Sequence, residues 1–168
     1  DLHITTEALG NYSTSFYLED ERRHEVADLM RQVRPKQAYR DAADRITAGL
    51  GTYNAIHLRR GDFLTNELSR RGISRAATTH GWEVVGNLAA HMNRDTPLVI
   101  CTDGTAGEEI FGPIQRHFRH SVFLDQHLRE DAAARDCVRS LPQRGEAVDA
   151  LLTQLVATKA HTFAGTFF

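Results

Sequence analysis

The sequence predicts an α/β domain in which a mostly parallel sheet is covered by helices on both faces. Three observations carry that expectation. Short, strand-like stretches recur along the chain: AIHL at 55–58, PLVICT at 97–102, SVFL at 121–124 and HTFAGTFF at 161–168. Stretches with apolar residues at helical spacing separate them. The continuous run PLVICT reads as a strand buried on both faces, which is what crossover helices produce.

The elements follow in order. Residues 1–20 are polar and Thr/Ser-rich without sustained periodicity, and read as an irregular lead-in. From Glu21, Val26, Leu29, Met30 and Val33 fall at helical spacing, and the pattern stops before Pro35. A second helix carries Tyr39, Ala42, Ala43, Ile46 and Leu50 on one face, and Gly49 and Gly51 stop it before the first strand. These two glycines are no dinucleotide fingerprint, because that motif must follow a strand and open a helix. The first strand ends in HLRRGD, and a Gly/Ser/Arg-rich loop runs from Phe63 to about Thr79. The next helix carries Val84, Val85, Leu88, Ala89 and Met92 on one face, and the second strand spans 97–103. Thr105 and Glu108 have capping-box spacing ahead of a helix bearing Ile110, Phe111, Ile114 and Phe118, which Pro113 kinks or divides. A third strand covers 121–125. The helix EAVDALLTQLVATKA buries Val148, Leu151, Leu152, Leu155 and Val156, and HTFAGTFF begins a fourth strand. Strands alternating with helices in this way make a single Rossmann-like layer sandwich over residues 1–168.

Bulk properties agree with one ordinary domain. The chain has 168 residues, 41% of them hydrophobic and 25% charged, enough to bury a core without staples. A net charge of −2 argues against wrapping nucleic acid. Cys101 and Cys137 are the only cysteines, and Cys101 lies in a strand, so a disulfide framework is not expected. No apolar run reaches the length of a membrane span, and no signal peptide is visible. The chain opens without Met and stops inside a strand-like stretch, so it reads as part of something longer.

Ligands of such folds bind outside the carboxyl ends of the strands. That rule selects His57, Arg59, Arg60 and Asp62 after the first strand, Thr102 and Asp103 after the second, Asp125 after the third, and Gly165 to Phe168 in the fourth. Side chains alternate along a strand, so His57 and Arg59 share one face while Arg60 points the other way. Arg59 with His57 can converge on an anion, whereas Arg60 is better placed to pair with a carboxylate such as Asp62 or Asp103. The rival reading makes the whole group an internal salt-bridge cluster. His117 and His120 stand at i, i+3 spacing without an HExxH or a cysteine pair and read as helix-end residues. Trp82 and Tyr53 read as packing residues, and Cys101 as an inert core thiol. The Arg60-Gly61-Asp62 tripeptide follows a buried strand instead of topping a loop, and carries no adhesion reading.

HLRRGD at one strand end, VICTDG at the next, and a long helix followed by FAGTFF resemble the C-terminal half of GDP-fucose-dependent fucosyltransferases of the protein O-fucosyltransferase-like group. The resemblance covers about residues 36 to 168. It implies the C-terminal, nucleotide-sugar-binding domain of a two-domain GT-B glycosyltransferase that moves fucose from GDP-fucose to a hydroxyl of a protein or glycan acceptor. It further implies that no metal or other cofactor is needed; the chain contains no Asp-x-Asp motif. By matched position, His57, Arg59 and Thr166 would bind the donor diphosphate, with Arg59 the catalytic electrophile. Asp103, Asp149, Thr153, Gly165 and Phe167 are the further nucleotide-site candidates. Arg60 and Asp62 form a structural pair. Two departures stand out. The chain ends before the Ser-Thr-Phe of the last family motif, and Thr153 occupies the place of an acid that reads guanine, with Asp149 one turn earlier. The acceptor half of the family is absent from this chain, and the acceptor's base with it. The alternative is a non-catalytic nucleotide- or anion-binding α/β module.

Overall fold

A computed structural model of the chain describes residues 34–61, 79–143 and 145–165. By internal contacts the chain divides after Lys36, and the architecture below is that of the unit Gln37–Phe168. The helix expected from Glu21 and most of the loop expected from Phe63 lie outside the described residues, as do Asp62, Thr166 and Phe167.

The elements run α1 (Gln37–Thr47), β1 (Asn54–Leu58), α2 (Gly81–Ala89), β2 (Leu98–Thr102), α3 (Phe111–His117), β3 (Ser121–Phe123), α4 (Leu124–Glu130), α5 (Ala132–Arg139), α6 (Glu146–Lys159) and β4 (Thr162–Gly165). The four strands form one all-parallel sheet in the order β3-β2-β1-β4. The expected α/β, Rossmann-like class is therefore the observed one.

Alternation along β1 and β2 feeds two separate cores. Ile56, Leu58, Leu98 and Ile100 face one way, onto Val84, Val85 and Leu88 of α2 and Phe111 and Ile114 of α3. Ala55, Val99 and Cys101 face the other, onto Tyr39, Ala42 and Ile46 of α1 and Leu152 and Val156 of α6. Tyr53, just ahead of β1, donates its buried hydroxyl to the carbonyl of Val156 at 2.6 Å and ties that strand to α6. Gly51 has φ +62°, a left-handed conformation that reverses the chain between α1 and β1 and that a side chain disfavours. The expected stop signal operates there.

Several expectations need correction. Pro113 neither kinks nor divides a long helix. It sits in the first turn of α3, where a missing N–H costs little, and the residues 106–110 ahead of it form turns and a bend, not helix. The third strand ends at Phe123, because α4 begins at once, so Asp125 lies on a helix and not in a strand end. Helices α4 and α5 had no counterpart in the sequence reading. They meet at Asp131, whose carboxylate caps α5 by accepting from the Ala134 N–H at 3.0 Å. Met92 is buried but lies beyond the end of α2. Trp82 is no packing residue: it is 59% exposed, with the Arg116 guanidinium 5.6 Å above its ring. Tyr53 and Cys101, by contrast, are core residues as expected.

Candidate functional site

The sheet order fixes where a ligand crevice opens. From β1 the chain moves outward through β2 to β3, then returns to place β4 on the other side of β1. Strand order reverses beside β1, and the carboxyl ends of β1 and its neighbours are where this fold binds ligands. His57 is the next-to-last residue of β1, and its Cα pairs with Cys101 on one side and Gly165 on the other. Arg59 and Arg60 follow directly after the strand.

The connection after β2 holds this strand end in place. Thr102 donates its hydroxyl to the Leu58 carbonyl at 2.7 Å and accepts from the Gly104 N–H at 3.0 Å. One oxygen of Asp103 accepts the backbone N–H groups of Arg60 (2.5 Å) and Gly61 (3.0 Å). Glu108 adds a second clamp. Its Oε2 accepts from Arg60 Nε at 2.8 Å, and its Oε1 accepts from the Thr105 N–H at 2.9 Å. The latter is half of the capping box that Thr105 and Glu108 spell, built on a turn in place of a helix. Gly104 leaves room for the arrangement, since a Cβ there would lie 2.3 Å from Glu108 Oε1 and 2.8 Å from Arg60 Cβ.

The two arginines are thereby separated, as strand alternation requires. Arg60 is largely shielded and paired with Glu108. Arg59 is 49% exposed, and its Nε stands 3.9 Å from Asp103 Oδ2, which is itself 41% exposed. An ion pair that long and that wet contributes little to stability. His57 is half-buried, and burial draws its pKa below the usual 6.5; the Asp103 carboxylate opposes that shift and Arg59 adds to it. Its ring is accordingly neutral near pH 7, able to donate from one nitrogen and accept at the other.

A cavity of about 290 Å³ opens over the carboxyl ends of β2 and β3, and its lining includes neither His57 nor Arg59. Cys101 and Leu124 supply apolar lining, and Thr102, Asp125, Arg129 and Thr153 supply polar groups. Burial, with the nearby Asp125 charge assisting, pushes the Cys101 thiol up to about 12, so it acts as an apolar wall and not as a nucleophile. Of the sequence candidates, the fold thus gathers His57, Arg59, Asp103 and Gly165 at the end of β1 and Thr153 at the neighbouring cavity. Asp149 lies exposed in the first turn of α6, where its charge favours the helix terminus. Sequence reading missed Glu108 as the partner of Arg60, and missed Arg129 altogether. The i, i+4 spacing of Asp125 and Arg129 was the available signal, but no helix was expected there.

Among the described residues, no helix is long and apolar enough to cross a membrane, and no group of three or more His, Cys, Asp or Glu side chains is placed to hold a metal ion. The fold and site define the chain as a parallel α/β domain with a cationic strand end. Compared with known proteins, it matches no family model, no curated sequence and no solved structure.

Proposed function

We propose that this chain is the nucleotide-sugar-binding domain of a fucosyltransferase-like enzyme, with GDP-fucose as donor and a protein or glycan hydroxyl as acceptor. The observation that carries the reading is the placement of His57 and Arg59. Both extend from the central strand at its carboxyl end, beside the point where strand order reverses, with the second arginine occupied by Glu108. A guanidinium on that spot suits a diphosphate, which it grips through two parallel hydrogen bonds.

In the reaction, the bond between the anomeric carbon and the phosphate oxygen breaks as the acceptor oxygen attacks, and the acceptor's proton passes to a base or to the departing phosphate. Negative charge collects on the departing diphosphate while the sugar becomes oxocarbenium-like. Arg59 would neutralise that charge, and the neutral His57 would donate a hydrogen bond to a phosphate oxygen. The backbone of Gly165 would close the opposite wall. No step in this scheme calls on a metal. The second reading, a binding module without transfer activity, draws support from Thr153, a neutral residue at the cavity where the resembling family places an acid.

Calorimetric titration with GDP, UDP and GDP-fucose, with and without EDTA, tests the proposal. The expected result is GDP binding indifferent to EDTA and weakened roughly tenfold to a hundredfold in a folded Arg59→Ala variant. Absence of nucleotide binding sinks the reading. So does an Arg59→Ala protein that fails to fold, which would make Arg59 a structural residue. Retained GDP binding without fucose transfer to any hydroxyl acceptor favours the module.

A further inference from the structure

Among the described residues, each guanidinium at the end of β1 is matched by one carboxylate. Arg60 has Glu108, with Nε 2.8 Å from Oε2. Arg59 has Asp103, whose Oδ2 stands 3.9 Å from its Nε. Asp103 is also close enough to His57 for its charge to hold that ring's pKa up against burial. One carboxylate therefore addresses both side chains that would take a diphosphate. It is anchored where it stands, because its Oδ1 accepts the backbone N–H groups of Arg60 at 2.5 Å and Gly61 at 3.0 Å. Gly61 suits that fit: a Cβ there would lie 3.0 Å from Asp103 Oδ2 and 3.1 Å from the Asp103 carbonyl oxygen. Two successive backbone N–H groups and a guanidinium directed at one carboxylate form an anion-binding arrangement. The protein fills it with an anion of its own.

We infer that Asp103 is a built-in counter-anion of Arg59, which an incoming phosphate must replace, and that it weakens the hold on the more highly charged product. This rests on the diphosphate-binding reading of Arg59 above. The internal pair is easy to exchange: at 3.9 Å, with 49% of one side chain and 41% of the other exposed, it contributes little. Arg59 is the partner that moves, since its side chain is long and exposed while Asp103 is anchored through Oδ1. A phosphate offering two parallel acceptor oxygens is a better partner for a guanidinium than one distant carboxylate oxygen. The exchange leaves the carboxylate behind as a fixed negative charge beside the bound one, and like charges at close range oppose each other. That opposition grows with the charge of the ligand. GDP carries more negative charge than GDP-fucose, because its terminal phosphate is free. Asp103 therefore opposes the product more than the donor and promotes its departure.

The experiment titrates the full chain with inorganic pyrophosphate, GDP and GDP-fucose by calorimetry, in wild type and Asp103→Asn, with thermal melts on both. The asparagine keeps an oxygen to accept from Arg60 and Gly61 and removes only the charge. Asp103→Asn is expected to bind pyrophosphate and GDP roughly tenfold tighter, and GDP-fucose tighter by a smaller factor. A merely structural Asp103 predicts unchanged or weaker binding in the variant. Either result from a folded Asp103→Asn overturns the inference and leaves the diphosphate reading standing, and so does a gain no larger for GDP than for GDP-fucose. If neither protein binds any of the three, the diphosphate reading falls and takes the inference with it. A measurement on wild type alone covers the case of a variant that does not fold. Pyrophosphate should move the carboxyl-carbon resonance of Asp103 and leave that of Glu108 in place; an Asp103 signal unmoved at saturation overturns the inference.

Discussion

Neighbouring arginines with opposite duties are a consequence of two-residue periodicity, carried one step past the end of a strand. Leu58 faces the α2–α3 core, and Arg60 continues to that side to meet Glu108; Arg59 turns to the other. That division was legible from HLRRGD alone. The identity of the acid was not, because Glu108 reaches Arg60 from a turn 48 residues later, and turns leave no periodic trace. His57 gives the residue scale a pH test. Its folded pKa lies below the ordinary 6.5, chiefly through burial. Above that value the ring is neutral both folded and unfolded, so it adds no slope. As pH falls below 6.5, the unfolded chain takes up the proton first, and stability declines until the folded pKa is passed. Urea unfolding between pH 7.5 and 5 should show that decline in wild type and a flatter profile in His57→Gln. A bound diphosphate reverses the preference, because an anion beside the ring favours its charged form. Nucleotide binding below neutral pH should therefore take up protons, read as a buffer-dependent binding enthalpy.

Between residues and fold, the connection after β2 works as a bracket on the end of β1. Thr102, Asp103 and Glu108 all contribute to it, and Gly104 is the point where it has least room. Gly104→Ala should drive Glu108 from the Thr105 N–H and from Arg60, lowering stability by ~1–3 kcal/mol in urea titration. It should also weaken nucleotide binding, since Arg60 and Gly61 would lose their fixed place beside Arg59. Asp131→Ala makes a useful contrast. It removes the cap of α5 far along the chain from the bracket, so the melting temperature should fall while nucleotide affinity stays as it was. The depressed pKa of Asp131, due first to the Ala134 N–H bond, means its capping is present above the ordinary carboxylate range and is lost as pH drops through the folded value. Elements differed in how plainly the sequence announced them. Helix α6 displays five apolar residues at helical spacing, and all five pack into one core. Helices α4 and α5 are short and largely polar, with contacts from Leu124, Leu128, Ala134 and Cys137 too sparse to stand out. Helix α5 packs on α1, whereas α4 packs on β2 and β3.

The described sheet is organised around its two inner strands, β1, which pairs with β2 over five residues and with β4 over four, and β2, which pairs with β3 over three. Strand count and parallel pairing follow from alternating apolar runs and helices, but strand order does not. Nothing in HTFAGTFF says that β4 returns beside β1 instead of extending past β3. That choice comes from which face α6 covers, a matter of packing between residues more than ninety positions apart, as Tyr53 and Val156 illustrate. The same central strand holds one imperfect group. Asn54 is 1% exposed, and among the described residues its Oδ1 has no hydrogen-bond partner. Asn54→Val should raise stability by ~1 kcal/mol, seen as a higher urea midpoint with unchanged slope. The flanking of β1 also bears on how the protein breathes. Amide protons of Ala55, Ile56 and His57 should exchange with deuterium only through global opening, whereas those of the three-residue β3 should exchange through cheaper partial openings. A thermal excursion that frays the outer sheet would then leave the cationic strand end intact, so that strand end and the cavity over β2 and β3 should lose their order at different temperatures.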